Sequence, residues 1–317
     1  MSKAVYLGVD GGGTKTRFAA IDGDGHLLAD AQRGTTYLPH VGMDGVRAVL
    51  ADGVAAVLAT AGCTAADIGH AFFGLPAYGE DSRLTADLQA CPAAILGHDR
   101  YACDNDMVCG WAGSLACADG INIVAGTGSI GYGQRRGVGA RAGGWGEAFS
   151  DEGSAYWIAM RGLNVFSRMS DGRLPRGPLH DIFKNHFQLE NDLDICAHVY
   201  DGTTYARGEL AQLSRQVAEA ARAGDGAALA IFRDAGRELA LICDTLRRAL
   251  RFEADEDVPV SYSGGAFSAG QLLLAPLTDA LHAASTHFRL RAPLHEPHYG
   301  AALYAASLAG HPVTPLM

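Results

Sequence analysis

The chain has 317 residues, and because one domain usually holds roughly 100–200 residues, we expect two domains or one two-lobed unit. Apolar residues make up 48% and charged residues 19%, a composition that excludes a disordered chain. The 25 basic and 35 acidic side chains give a formal charge of −10, which argues against nucleic-acid binding but allows a small anionic ligand. The apolar stretch Ala4–Val9 is too short for a signal peptide, and prolines and glycines interrupt Val258–Thr278, so we expect neither export nor a membrane segment.

The cysteines indicate a reducing compartment. They number seven and form no CxxC pair. Cys103, Cys109 and Cys117 have spacings that fit no zinc site. We therefore expect buried thiols in a cytoplasmic protein.

The first half of the chain predicts short strands around glycine turns. A helix is predicted at Val46–Ala61, and strands are predicted at Val5–Val9, Phe18–Ile21, His26–Ala31, Ala71–Leu75 and Ala93–Leu96. A second set begins with the strand Ile121–Ala125, followed by Gly126-Thr127-Gly128 and another strand. Because the order of strand, glycine turn and strand occurs twice, we predict two lobes of similar topology.

The second half of the chain is predicted to be mainly helical. Apolar residues of Phe232–Ala249 step by three and four positions, which is one face of a long amphipathic helix. A shorter helix is predicted to end at Gly224, and a last one to contain Leu303–Leu308. Between them we predict a strand at Val258–Tyr262 and a helix at Gln271–Ala284. Since no low-complexity linker separates the halves, we expect the two lobes to share a cleft.

Three glycine turns are suited to binding a nucleotide. Gly11-Gly12-Gly13-Thr14-Lys15 lies between two predicted strands, where glycine lets a phosphate approach the backbone N–H groups. Gly126–Gly131 matches GxGxxG, but no helix follows it, so we interpret it as a second phosphate-binding hairpin and not as a dinucleotide turn. Ser263–Phe267 offers a flat glycine surface on which a purine can lie.

These three turns, in this order, resemble those of the actin-like ATPase superfamily. The run Gly143-Gly144-Trp145-Gly146, followed by Asp151–Ile158, is similar to the N-acetylglucosamine kinases, which group with the benzoyl-CoA-reductase-activator type of ATPase. The resemblance covers essentially the whole chain. It implies an α/β fold of two actin-like (ribonuclease-H-like) lobes with an inter-lobe cleft. We expect the lobes at 1–118 and 119–317, with a last helix (about 298–310) free to pack back on the first lobe.

The resemblance also implies ligands and site residues. ATP and Mg²⁺ are expected, with Asp10 orienting the ion through water. Sugar contacts are implied for Thr36, Tyr37, Asp106, Gly144, Trp145, Gly146 and Asp151. ATP contacts are implied for Gly11, Gly12, Gly13, Thr14, Lys15, Thr127, Gly128, Ser129, Ala211, Gly264, Gly265 and Ala266. Trp145 has the alternative of a plain core residue.

Asp106 is the expected catalytic base. Phosphoryl transfer to a sugar hydroxyl needs a carboxylate to take up the proton. Asn105-Asp106 matches the position of the family's base, after a strand and before the apolar helix predicted at Met107–Ala118. Asp104 is the neighbouring alternative, because alternate residues of a strand point to the same side.

The expected activity is ATP-dependent phosphorylation of the 6-hydroxyl of N-acetylglucosamine by a cytoplasmic homodimer. The family's sugar loop carries an asparagine near Gly34–Leu38, but this chain has none between Met1 and Arg100, so Tyr37 or Thr36 must take its place and glucosamine stays an alternative substrate. An ATPase activator of a radical dehydratase or reductase would need a cysteine pair for an iron–sulfur cluster, and Cys103 and Cys109 do not look suitably placed. A non-catalytic sugar sensor is disfavoured, because we expect no DNA-binding helix-turn-helix before residue 4.

Overall fold

Two five-stranded sheets organise the protein in the computed structural model, which describes residues 4–200 and 206–313. The strands are β1 (Val5–Gly11), β2 (Lys15–Ile21), β3 (Leu27–Gly34), β4 (Ile68–Leu75), β5 (Tyr101–Asn105), β6 (Gly120–Ala125), β7 (Ser129–Arg135), β8 (Val138–Gly143), β9 (Val258–Ser263) and β10 (Phe288–Arg291). The helices are α1 (Leu38–Ala61), α2 (Ser82–Leu96), α3 (Met107–Leu115), α4 (Ala155–Ser170), α5 (Pro178–Phe187), α6 (Ile195–Tyr200), α7 (Arg207–Gln212), α8 (Ser214–Arg222), α9 (Gly226–Ala249), α10 (Gln271–Ala284) and α11 (Pro297–Leu308).

The two sheets have the same topology. The first has the order β3-β2-β1-β4-β5 and the second, read from its other edge, has β8-β7-β6-β9-β10. In each sheet the first three strands of the sequence are antiparallel, and the last two run parallel to the first. The prediction of an α/β protein with two lobes of similar topology is therefore confirmed.

The first compact unit contains residues 1–119 together with residues 292–317. Successive residues of β4 point to opposite faces of its sheet, as the two-residue period of a strand requires. Phe73 joins the core cluster that includes buried residues of α1 and α2, whereas the ring of Phe72 contacts Tyr304 of α11 edge-on. Helices α3 and α11 also pack on each other, and Trp111 contacts the same tyrosine ring.

The close approach of α3 and α11 depends on two glycines. A Cβ added at Gly300 would collide with the backbone N and Cα of Gly113. We expect Gly300→Ala to lower the free energy of unfolding by about 1–3 kcal/mol, because neither backbone can move without disturbing the sheet below it. Urea titration measures the change. Gly34→Ala is the control, since its Cβ would meet no atom within 4 Å, and an equal loss in both variants would contradict this role of the two glycines.

The second compact unit contains residues 120–291. Its core cluster joins Ile121 and Ile123 of β6 to buried residues of the helices, among them Ile158 of α4, Leu239 of α9 and Leu277 of α10. Helices α9 and α10 pack tightly, and Gly236 has no room for a side chain beside the backbone of α10. Within the two described ranges of the chain, no helix has the length and the hydrophobicity needed to cross a membrane.

The prediction of a strand at Ala93–Leu96 is wrong. These residues form the end of α2, where Leu88, Cys91 and Leu96 are buried at helical spacing. A four-residue apolar run does not distinguish a strand from a buried helical turn, and Pro92 inside the helix weakened the helical signal. The helix predicted to end at Gly224 is two helices, α7 and α8, and the one predicted to reach Ala118 ends at Leu115.

Candidate active site

The hairpin between β1 and β2 presents the first glycine turn of the sequence at the surface. Gly13, Thr14 and Lys15 are exposed at its tip. The base of the hairpin is held by the segment after β3, because the hydroxyl of Thr35 donates a hydrogen bond to the carbonyl of Gly12 over 2.7 Å. A fixed base with an exposed glycine tip is suited to an anionic group that approaches the backbone.

Asp10 and Asp106 lie at the same edge of the first sheet. Asp10 is paired with Gly74 in the parallel ladder of β1 and β4, and Leu75 with Asn105 in that of β4 and β5. The carboxyl ends of the three strands therefore meet at one edge. A Cβ at Gly74 would lie 3.2 Å from the Cα of Asp106 and would overlap Cys109 Sγ, so glycine lets the start of α3 approach β4.

The pKa values of both carboxyl groups are raised. Burial, and then the negative charge of Asp106, raise the pKa of Asp10 to about 8, although the nearby Arg17 guanidinium opposes the shift. Burial, and then the charge of Glu80, raise the pKa of Asp106 to about 7, against backbone N–H groups, including that of Met107, which favour the ionised form. A carboxyl group with a pKa near neutrality can accept and release a proton at physiological pH.

Asp104, Asn105 and Asp106 have different surroundings, because β5 ends at Asn105. Asn105 is buried, and its side-chain amide donates to the carbonyl of Tyr78 over 3.3 Å. Asp104 is exposed, and its carboxylate accepts the N–H of Asn105 over 2.7 Å. Asp106 stands at the N-terminal boundary of α3 in helical conformation. Of the two aspartates, Asp106 is the one whose charge acts on Asp10, and its role as the catalytic base stays a prediction.

Asp10 also interacts with Arg17, Glu296 and Cys109, none of which was predicted as a site residue. Arg17 is its partner across the β1–β2 hairpin, and this guanidinium also reaches Glu296 Oε2 over 3.3 Å. Cys109 Sγ donates to the carbonyl of Val9 over 3.4 Å. The pairing of Arg17 with Asp10 follows from the symmetry of the hairpin and could have been found in the sequence, whereas Glu296 is too distant along the chain.

The Asp10–Asp106 pair is suited to binding a divalent cation. A second cluster of acidic residues is explained without one. Asp10 and Asp106 are oxygen donors that repel each other, and a bound cation would offset that repulsion. The ligand atoms of Asp22, Asp24 and His26 lie within 4.8 Å of one another. However, the carboxylate of Asp22 accepts the N–H groups of Asp24 and His26, so this second group is explained as a hairpin turn.

Thr36 and Tyr37, the expected replacements for the family's sugar-binding asparagine, differ in exposure. Thr36 is buried, and its hydroxyl lies 3.1 Å from that of Thr16. The N–H of Tyr37 donates to the hydroxyl of Thr35, and its ring contacts His40 edge-on. Of the two, Tyr37 is therefore the one with a partly exposed side chain.

The two thiols near Asp106 are protonated in the metal-free protein. Burial raises the pKa of both the Cys103 and the Cys109 thiol above the usual range. All seven cysteines of the chain are free.

The second glycine turn is held against the start of α4 in the second unit. The carbonyl of Gly126 accepts the N–H of Ala155 over 2.9 Å, and Ser154 caps the helix by accepting the N–H of Trp157. Ser129 Oγ donates to the carbonyl of Glu152 over 2.7 Å, while Thr127 is exposed. The run Asp151–Trp157 thus fixes the turn that precedes it in the sequence.

Asp151 lies directly beside this turn and pairs with Arg207. It is only 3% exposed, has a φ of 62°, and accepts backbone N–H groups of Ser129 and Gly146. Burial raises the pKa of its carboxyl group, and the Arg207 guanidinium opposes the shift. Arg207 Nη2 donates to Asp151 Oδ2, and Arg207 Nε lies 3.2 Å from Glu147 Oε2. Arg207 was not predicted from the sequence, because 56 residues separate it from Asp151.

Trp145 is a surface residue of its unit. Its side chain is 70% exposed, and the guanidinium of Arg141 lies 5.8 Å from the centre of the ring. Gly144 and Gly146 on either side have φ values of 71° and 96°, a backbone region that favours glycine. The alternative of a core residue is therefore not supported within the second unit.

The third glycine turn borders a small cavity. Gly264 has a φ of 102°, and a Cβ there would lie 2.5 Å from the carbonyl oxygen of Ala125. Gly265 and Ala266 line a cavity of about 260 Å³ together with Ser214, Arg215 and Ala218 of α8. Ala211, expected beside the adenosine, is buried in the core cluster. The cavity wall is therefore formed by Ser214, Arg215 and Ala218, which follow Ala211 in the sequence.

Comparison with known proteins gives consistent results over almost the whole length. The chain is 28% identical to the N-acetyl-D-glucosamine kinase of Dictyostelium discoideum over 315 residues, covering 96% of this chain and 98% of the relative. It is 29% identical to the N-acetylmuramic acid/N-acetylglucosamine kinase of Clostridium acetobutylicum, covering 82% and 84%. A solved structure from Chromobacterium violaceum, provisionally named an N-acetylglucosamine kinase, superposes with a TM-score of 0.70 at 26% identity, covering 96% of this chain and 100% of that one.

The likeness to that solved structure confirms the prediction of two lobes of the actin-like kind. How the lobes face each other, and hence the predicted cleft, stays a prediction. The sequence model of the BadF/BadG/BcrA/BcrD ATPase family matches residues 7–305. Because that match spans far more than half of the sequence, the chain belongs to the BadF/BadG/BcrA/BcrD ATPase family.

Proposed function

We propose that this protein is an ATP-dependent amino-sugar kinase that phosphorylates the 6-hydroxyl of N-acetylglucosamine. The observation that carries the proposal is the Asp10–Asp106 pair at one sheet edge, next to an exposed glycine hairpin. The family supports the use of ATP. The activities for which the relatives are named support the class of acceptor.

In the proposed reaction Asp106 acts as the general base. Its carboxylate takes the proton of the sugar 6-hydroxyl, the oxygen forms a bond to the γ-phosphorus, and the bond from that phosphorus to the β,γ-bridging oxygen breaks to release ADP. Such transfers depend on positioning and on charge stabilisation more than on covalent chemistry. Asp151, Gly144, Trp145, Gly146, Thr36 and Tyr37 are proposed to contact the sugar.

The nucleotide is proposed to be held by the three glycine turns, through the residues Gly11–Lys15, Thr127–Ser129 and Gly264–Ala266. Ala211 is buried in the core cluster, so it is proposed to support this site from behind without contacting the nucleotide. Mg²⁺ is proposed near Asp10, where it would neutralise phosphate charge when bound. Burial, and then the negative charge of Asp106, raise the pKa of Asp10, and a cation bound beside the two carboxylates would stabilise their ionised forms. A cytoplasmic location and a homodimer are likewise proposed from the resemblance, the location also from the unpaired cysteines.

The proposal is tested by measuring ADP release with Mg²⁺-ATP and a panel of N-acetylglucosamine, glucosamine, N-acetylmannosamine and glucose. We expect the highest kcat/KM for N-acetylglucosamine. A preference for glucosamine would show that the acceptor is glucosamine, and it would leave the proposed kinase activity unchanged. ATP hydrolysis that does not depend on any sugar would contradict the proposed function and favour an activator ATPase.

A further inference from the structure

Arg207 places a positive charge against the second glycine turn. The position of a Cβ on Gly128 would be 2.7 Å from Arg207 Nη2 and 2.6 Å from Asp151 Oδ2. The arginine side chain is 40% exposed, whereas that of Asp151 is 4% exposed. The arginine is therefore the more exposed partner of this ion pair, and its long side chain has the rotatable bonds needed to turn away from the carboxylate.

We propose that Arg207 is a phosphate-binding residue of the nucleotide site, and that a nucleotide phosphate competes with Asp151 for its guanidinium. This inference rests on the proposed function, since it takes the turn around Gly128 as a phosphate site and Asp151 as a sugar ligand. It adds that binding of nucleotide prepares the sugar site.

The contacts of Asp151 show why the competition matters. Its carboxylate accepts the N–H groups of Ser129 and Gly146 as well as the Arg207 guanidinium. An ionised carboxylate has about four sites for hydrogen-bond donors, so these contacts leave little capacity for sugar hydroxyls. When the guanidinium moves to a phosphate, one carboxylate oxygen becomes available to the sugar.

Charge and geometry favour transfer of the guanidinium to a phosphate. Arg207 also contacts Glu147 Oε2, so two carboxylates hold its guanidinium beside the glycine turn that is proposed to bind phosphate. Arginine binds phosphate through two parallel hydrogen bonds, and a polyphosphate carries more negative charge than a carboxylate. Because the coupling is reciprocal, the sugar should also strengthen nucleotide binding.

The test is calorimetric titration of the full chain with N-acetylglucosamine and with Mg²⁺-AMPPNP, each alone and in the presence of the other. In the wild type we expect nucleotide to tighten sugar binding by about fivefold or more. In Arg207→Ala we expect nucleotide binding to weaken by about 10- to 100-fold, the usual range for one lost charge-assisted contact. Sugar binding without nucleotide should be at least as tight as in the wild type, and the coupling should vanish.

Arg237→Ala is the matched control, because Arg237 is an exposed arginine that reaches Asp234 over 3.4 Å, and it should behave like the wild type. If Arg207→Ala fails to fold, Arg207→Lys carries the test through a severalfold loss of nucleotide affinity and of coupling. Weaker sugar binding with unchanged nucleotide affinity would overturn the proposal and leave Arg207 as a brace for Asp151. A wild type that phosphorylates sugar but shows no coupling overturns this inference alone, whereas one that binds and phosphorylates no sugar overturns the proposed function with it.

Discussion

Asp106→Asn is expected to lower kcat by about 10²–10⁴-fold, the scale of a lost general base, with a modest change in the KM for sugar. Asparagine keeps the size of the side chain and can still donate to or accept from a hydroxyl, but it cannot take the proton. Steady-state kinetics with Mg²⁺-ATP and the preferred amino sugar measures both constants.

The matched control is Asp104→Asn, two residues away on the same strand end, where the carboxylate is exposed. This variant should retain nearly full activity. Loss of activity in Asp104→Asn with retention in Asp106→Asn would show that the wrong carboxylate is assigned.

The pH profile of the wild type gives a second measure of the same group. The base must be ionised to work, and the pKa of Asp106 is raised to about 7. We therefore expect kcat/KM to rise steeply as the pH rises through about 7. A profile that is flat between pH 5 and about 8 would contradict a base with this pKa.

Asp10→Asn is expected to stabilise the protein at pH 8 while removing its activity. The pKa of Asp10 is raised from 3.8 to about 8 in the folded state, so folding favours the protonated form. The stability of the wild type should therefore fall as the pH rises from about 4 to about 8, because the unfolded chain ionises freely. We expect the free energy of unfolding of the variant at pH 8 to exceed that of the wild type by about 3 kcal/mol. This is roughly half of the free energy to which the whole pKa shift corresponds.

Urea unfolding in metal-free buffer at pH 8 and at pH 4 measures this effect, which should nearly disappear at pH 4. Asp279→Asn, an exposed carboxylate of α10, should show neither change. Addition of Mg²⁺ should then stabilise the wild type more than Asp10→Asn, since a ligand of the folded state raises its stability. Equal stability of Asp10→Asn and the wild type at pH 8 would contradict a raised pKa of Asp10 in the folded state.

The sequence was most informative where chemistry and local structure coincide. Strand patterns around Gly11–Lys15 and Gly126–Gly128 were sufficient to predict two similar lobes, since glycine turns between short apolar runs are typical of strand hairpins. The segment Asn105-Asp106 was placed at the end of a strand by its match to the family's motif and by the apolar helix that follows it. The strand prediction at Ala93–Leu96 was wrong because four apolar residues fit both a strand and a buried helical turn. The burial pattern of α2 is visible only over the whole length of the helix.

Other features of the site depend on contacts that no local pattern encodes. Arg207 reaches Asp151 across 56 residues, and α11 brings Glu296 to Arg17 across 279. Trp145 is exposed between two glycines with positive φ angles, a conformation that glycine permits but does not require. Such long-range contacts arise from the packing of whole elements, so the sequence alone could suggest the residues but not their partners.

The central claim is transfer of the γ-phosphoryl group of ATP to the 6-hydroxyl of an amino sugar, and the most direct measurement is the structure of the product. We would incubate the protein with Mg²⁺-ATP and N-acetylglucosamine and record phosphorus–proton correlation spectra of the mixture. We expect one ADP for each sugar ester formed, with the phosphorus coupled to the two protons on carbon 6. Free phosphate without a sugar ester, or an ester at another carbon, would contradict the claim.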